Sequence, residues 1–124
     1  MNYVISGRII KGEGYGKKIG YPTINLDRRN FLKLKEKPNF GVYAGKATLN
    51  TMLNTECLTY KAGIVIGPLD KKGLPKIEAH LIGFKKDIYG EKVTLEINKF
   101  IRKFKKFKTK KELKEQIEKD LKKC

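Results

Sequence analysis

The apolar residues of this chain change their spacing once, and late. From Tyr3 to Phe107 they gather in short runs cut by Gly, Pro and Asn, whereas beyond Thr109 they return every four residues. Tyr3 to Ile10 alternates and ends in glycines, which predicts a strand running into a turn. Gly41 to Leu49 is rich in β-formers and follows a loop, Lys35 to Phe40. Cys57 to Ile66 reads as a strand stopped by Gly67-Pro68, and the turn-rich Pro68 to Pro75 leads onward. Ile77 to Phe84 and Val93 to Ile101 are further strands. In the last of these, Val93, Leu95, Ile97 and Lys99 fall on one face at period two.

The tail differs. Thr109 stands three residues before Glu112, a capping box, and Leu113, Ile117 and Leu121 place an apolar stripe on one helical face. Short strands followed by one terminal helix, without βαβ alternation, argue against a parallel doubly wound sheet. They predict a mainly β fold, a small antiparallel barrel over about residues 1–107 with a C-terminal helix, about 109–123, packed on it. With 124 residues, no linker and no internal repeat, the chain reads as one domain.

Composition narrows the function. No apolar run approaches a membrane span, and the first residues lack the basic head and apolar stretch of a signal peptide, so a cytoplasmic location is expected. Cys57 and Cys124 are expected to be free thiols, and His80, the single histidine, makes a zinc site a poor reading. The formal net charge of +16 suits a nucleic acid, an anionic membrane surface or a phosphorylated small molecule. Much of the excess is Lys, spread along the chain and densest from Lys99 to Lys123, as on many solvated surfaces. By mutual repulsion it favours a monomer.

Two constellations carry chemistry. Closely spaced Gly12, Gly14 and Gly16 let a backbone turn sharply and offer N–H groups to an anion, and Lys17 and Lys18 add positive charge beside them. Gly20-Tyr21-Pro22-Thr23-Ile24-Asn25 follows. Thr23 and Asn25, two apart on an extended stretch, point the same way, so a hydroxyl and an amide oxygen converge on one hard cation. Together these features suit a nucleotide phosphate carrying a metal ion. The glycines alone say little, because a hairpin turn explains them equally, and the segment is neither a Walker loop nor a Rossmann fingerprint.

In the second, Ile77-Glu78-Ala79-His80-Leu81, a strand puts Glu78 and His80 on one face and the apolar residues on the other. Glu78 reads either as a general base or as an ordinary exposed barrel residue, and His80 as structural. Between Phe100 and Phe107 aromatics are interleaved with cations. That suits stacking on a flavin or a base beside a phosphate; it also suits Phe100, Phe104 and Phe107 tying the last strand and helix to the core.

Taken in order, the glycine loop, Gly20 to Asn25, Gly41-Val42-Tyr43, Ile77 to Leu81, Asp87-Ile88-Tyr89-Gly90-Glu91, Ile101-Arg102 and the terminal helix resemble the riboflavin kinase family of the ATP-using bacterial and eukaryotic type. The resemblance covers nearly the whole chain. It implies a six-stranded antiparallel barrel with a C-terminal helix, and transfer of the ATP γ-phosphate to the 5′-hydroxyl of riboflavin to give FMN and ADP. It further implies Mg2+ held by Thr23 and Asn25, nucleotide phosphates lined by Gly12, Gly14, Gly16, Lys17 and Lys18, and Glu78 as the base. Leu81 and Tyr89 would border the nucleotide, and Arg102 and Phe107 would lie on a flap over the flavin. The expected partners are therefore riboflavin and ATP, with no nucleic acid.

The chain departs from the family pattern at its edges. Tyr15 stands where Arg is common, Ile24 where Ala is usual (a bulkier but outward-tolerable change), Phe104 where an acid is usual, and the loop after Gly67 lacks a Pro-Thr pair. Many bacterial relatives carry a further domain that adenylylates FMN using His-rich motifs; with only His80, this chain is expected to stop at FMN. The rival readings are a basic barrel that binds single-stranded nucleic acid and a relative that binds flavin or nucleotide without turnover.

Overall fold

The computed structural model describes residues 3–10, 20–50, 58–69, 71–84, 91–103 and 107–124. Its strands are β1 (Tyr3–Ile10), β2 (Ile24–Leu26), β3 (Gly41–Asn50), β4 (Leu58–Leu69), β5 (Pro75–Leu81) and β6 (Lys92–Arg102). They close into one barrel in the order β1-β2-β5-β4-β3-β6, every pairing antiparallel. A 3-10 helix, Arg28–Lys33, follows β2, and the α-helix α1, Lys110–Lys122, lies near the C-terminus.

The period-two pattern explains the closure. Ile5 and Ile9, Leu26, Ala47 and Leu49, Ala62, Ile64 and Ile66, Ile77, Ala79 and Leu81, and Val93, Leu95 and Ile97 all turn inward from their six strands. Burying each large side chain is worth about 1.5–3 kcal/mol, so the inward register is strongly held and the alternating residues are forced outward. Phe31 of the 3-10 helix joins this cluster. A Cβ at Gly45 would overlap the Glu96 carbonyl, so glycine is what lets β3 and β6 close at that point.

The strands depart from expectation in four places. β4 is not stopped by Gly67-Pro68; it continues to Leu69, and a register irregularity between Ile66 and Leu69 accommodates the residue that cannot donate. β5 begins earlier, at Pro75, and ends at Leu81 rather than Phe84, because the chain turns at Ile82-Gly83. Lys99 is exposed rather than aligned with Val93, Leu95 and Ile97. Ile97 pairs with Gly45 but Lys99 pairs with Ala44, so one extra residue on β6 switches the face. Ile24 does not face outward: it pairs with Ala79 and packs against the core. Neither the three-residue β2 nor the 3-10 helix was legible, being too short to show a period.

The helix follows its capping signal. Thr109 Oγ1 accepts from the Glu112 N–H at 3.2 Å, while Glu112 Oε2 accepts from the Lys108 N–H at 3.3 Å, one residue before the expected reciprocal partner. The helix rests on β3 and β4. A Cβ on Gly63 would lie 3.2 Å from Leu121 Cδ2, so bare backbone forms the seat. Cys124 is a free thiol that donates weakly to the Asp120 carbonyl, and burial raises its pKa; Cys57 lies outside the described residues.

Candidate active site

Asn25 of β2 has Ile10 as its register partner on one side and Glu78 of β5 on the other. Directly opposed residues on antiparallel neighbours hold their Cβ atoms about 4.5–5.5 Å apart. Both face outward, because Ile24, Ile77 and Ala79 belong with the core. Thr23, two residues before Asn25, is half-buried like Asn25 and Glu78. The fold thus brings the Asn25 amide and the Glu78 carboxylate, from distant segments, to one patch of the outer wall, with Thr23 two residues along the chain.

The same register carries the patch across the barrel. Glu78 is opposite Val65, Val65 opposite Val42, and Val42 opposite Arg102. A continuous outer row therefore runs Ile10, Asn25, Glu78, Val65, Val42, Arg102, with oxygen groups at one side, two valines between and a guanidinium at the far end. Glu78 and Arg102 are three strand spacings apart, roughly 14 Å.

Helix α1 ties both flanks of this row. Arg102 Nε lies 3.1 and 3.0 Å from Asp120 Oδ1 and Oδ2, and its Nη2 lies 2.9 Å from Oδ2. The Arg102 guanidinium carbon sits 5.7 Å from the centroid of the Phe107 ring. At the other flank, the Tyr21 hydroxyl donates to Glu118 Oε1 at 2.9 Å. Burial, then the Glu118 carboxylate, raises the Tyr21 pKa and keeps the phenol a donor. His80 Nδ1 is 2.7 Å from the Pro22 carbonyl; a carbonyl only accepts, so this nitrogen carries a proton. The Tyr21 ring meets His80 edge-on, centroids 5.7 Å apart. His80 thus braces the Gly20–Asn25 segment, the structural role expected of it.

The remaining sequence-predicted residues fall in three groups. Leu81 is 2 % exposed and its side chain belongs to the core, so only its backbone could border a ligand on the outer wall. Gly12, Gly14, Gly16, Lys17, Lys18 and Tyr89 lie outside the described residues, as does Phe104; the chain enters the glycine segment from Ile10, opposite Asn25. Phe100 is exposed and meets Tyr43 edge-on at 5.2 Å, at an open cleft of about 780 Å³ that shares no residue with the row. Asp120 was not anticipated. A helical wheel could have flagged it: Gln116 and Asp120 sit at i, i+4 directly beside the stripe of Leu113, Ile117 and Leu121.

Among the described residues, no group of three or more His, Cys, Asp or Glu could hold a metal ion. The oxygens of Thr23 and Asn25 fit another kind of ion, a hard cation that takes one or two protein oxygens and completes its shell with phosphate and water. Nor, among the described residues, is any helix long and apolar enough to cross a membrane.

A closed six-stranded antiparallel barrel with its polar row on the outer wall, beside a C-terminal helix, defines a small-barrel domain whose lumen is filled by core and whose wall carries that row. Comparison with known proteins makes this specific. The whole chain, residues 1–124, matches the flavokinase family, described as riboflavin kinase, and belongs to that family. It is 38 % identical over 120 residues to the bifunctional riboflavin kinase/FMN adenylyltransferase of Bacillus subtilis (strain 168), covering 95 % of this chain and 36 % of that protein. It is 34 % identical over 118 residues to the RNA-binding riboflavin kinase RibR of the same strain, covering 95 % of this chain and 48 % of that one. The chain thus spans less than half the length of these curated relatives. The crystal structure of riboflavin kinase from Trypanosoma brucei superposes with a TM-score of 0.73 at 24 % identity, over 98 % of this chain and 76 % of that one, and shares its fold.

Proposed function

We propose that this chain is a riboflavin kinase: it transfers the γ-phosphate of ATP to the ribityl 5′-hydroxyl of riboflavin, yielding FMN and ADP. The observation that carries this reading is the register pairing of Asn25 with Glu78, which sets a carboxylate beside the oxygen pair of Thr23 and Asn25. Family membership supports it.

In this scheme Glu78 accepts the proton of the 5′-hydroxyl as the new O–P bond forms and the bond to the β-phosphate oxygen breaks, releasing ADP. A placed general base contributes about 10²–10⁴-fold. Thr23 and Asn25 hold Mg2+, which when bound neutralises the nucleotide phosphates. The glycine segment with Gly12, Gly14, Gly16, Lys17 and Lys18 cradles those phosphates, while the Leu81 backbone and Tyr89 border the nucleotide. Phosphoryl transfer needs alignment and charge neutralisation more than covalent help, which is the kind of assistance these groups offer. From Glu78, the row past half-buried Val65 leads to Arg102 and Phe107, a cation–aromatic end for the tricyclic ring, with Val42 buried beneath. The enzyme acts as a cytoplasmic monomer in this reading, the +16 charge opposing self-association.

The test is to incubate the pure protein with riboflavin, ATP and Mg2+ and separate the flavins by chromatography. An FMN peak abolished by EDTA is expected. Steeply salt-dependent oligonucleotide binding with no FMN would overturn the reading in favour of a nucleic-acid barrel.

A further inference from the structure

Asp120 is the buried charged residue among the described side chains, 5 % exposed, and the phosphoryl-transfer scheme gives it no task. Its position in the fold does. It sits in the last turn of α1 and takes Arg102 in a two-point clamp, Nε and Nη2 against both carboxylate oxygens. Gln116 Nε2 donates to Asp120 Oδ1 at 2.9 Å from one helical turn back, so the carboxylate is itself held. Arg102 Nη1 donates to the Lys103 carbonyl at 3.1 Å. Of the five guanidinium N–H groups, these contacts leave one on each terminal nitrogen without an acceptor among the described residues. The Phe107 ring stands 5.7 Å from the guanidinium carbon.

A buried carboxylate needs its partner, and a packed apolar pair in its place is often no less stable, so the ion pair is weak evidence of a purely stabilising role. What it supplies is orientation. An arginine at a strand end has four rotatable side-chain bonds, and a bidentate carboxylate removes that freedom before any ligand arrives. Arg102 also closes the outer row that starts at Asn25 and Glu78.

We infer that Asp120, supported by Gln116, is a positioning residue for the acceptor substrate: it fixes the Arg102 guanidinium so that its remaining N–H groups meet the carbonyl edge of the flavin ring. This rests on the riboflavin kinase reading above. It assigns the Gln116–Asp120 pair of α1 to flavin recognition, while Glu118 between them serves the Tyr21 segment on the nucleotide side.

The experiment compares wild type, Asp120→Asn, Arg102→Lys and the double variant. It measures KM for riboflavin and for ATP, kcat, riboflavin binding by fluorescence quenching, and thermal midpoint. Asp120→Asn is expected to raise KM and Kd for riboflavin about tenfold, with KM for ATP and saturating kcat within about twofold. Because both residues act through one contact, the double variant is expected to be no worse than Arg102→Lys alone. An unchanged riboflavin KM, or both KM values and kcat deteriorating together as the melting temperature falls, would overturn the inference. Should Asp120→Asn fail to fold, Gln116→Ala takes its place, with a rise of about threefold in riboflavin KM expected and no rise counting against the proposal. The Arg102 Nε–H resonance separates this from the broader reading. It is expected to be slow to exchange in wild type and fast in Asp120→Asn; equal exchange in both means there is no clamp, whatever the protein phosphorylates. Wild type that neither quenches nor phosphorylates riboflavin, with the clamp intact, refutes the kinase reading and with it the proposed role of Asp120.

Discussion

Two stretches of the same barrel wall obey the same alternation and end up with opposite roles. On the open wall, Ser6 Oγ lies 2.9 Å from Thr94 Oγ1 and Thr48 Oγ1 lies 3.1 Å from Thr59 Oγ1. By register these four hydroxyls form one row across β1, β6, β3 and β4. Beside them Lys46 stands between Glu96 and Lys61. On the helix-bearing wall the outward residues are small or apolar: Ala44, Val42 and Gly63, the first two 7 % and 6 % exposed. Water suits the first surface and a helix the second. Charged side chains thus stand on the solvated wall, while the polar groups proposed for the chemistry collect where the other wall meets α1.

That contrast can be broken from the largest effect downward. Glu78→Gln is expected to lower turnover about 10²–10⁴-fold with ATP binding largely retained; near-wild-type turnover would return Glu78 to the status of an exposed wall residue like Glu96. Ile64→Ala, on the inward face of β4, is expected to cost about 2–5 kcal/mol in denaturant unfolding, because the interior has no slack to fill the void. A loss below about 1 kcal/mol would mean the barrel interior is looser than its burial indicates. Thr23→Ala is expected to weaken Mg2+-dependent ATP affinity roughly tenfold while leaving Mg2+-independent binding alone; identical titrations with and without Mg2+ would remove it from the ion's shell. Smallest of all, Lys46→Gln with Lys61→Gln is expected to shift stability by no more than about 0.5 kcal/mol and leave FMN formation unchanged. These like charges face each other across two strands, where solvent and salt screen them. A clear loss of activity would show that the open wall is not inert.

How far the sequence carried depends on the length scale of the signal. The alternation of Ile77 to Leu81 placed Glu78 and His80 on one face without any structure, and the Thr109–Glu112 pair marked the helix start to the residue. Lys99 misled, because a bulge on β6 adds one residue and a period-two reading has no way to see it. Ile24 misled in the opposite sense: its extra bulk read as tolerable on the outside, but the register of Asn25 against Glu78 leaves its neighbour only the interior. Gly67-Pro68 looked like a stop and proved to be a passage, since a strand can run through a proline where its register is already irregular.

The sequence by itself determined the mainly β class, the terminal helix, the shared faces of Ile77, Ala79 and Leu81 and of Val93, Leu95 and Ile97, and the short motifs whose members lie within a few positions of one another. Local spacing suffices for these, because each depends on a strand or helix period. Only the tertiary structure decided that Asn25 faces Glu78 and that Val65 and Val42 link Glu78 to Arg102. The same holds for Asp120 reaching back from α1 to hold that arginine. Those relations cross strands far apart in the chain, and they follow from how a six-stranded sheet staggers and twists to close on itself, which no single segment encodes.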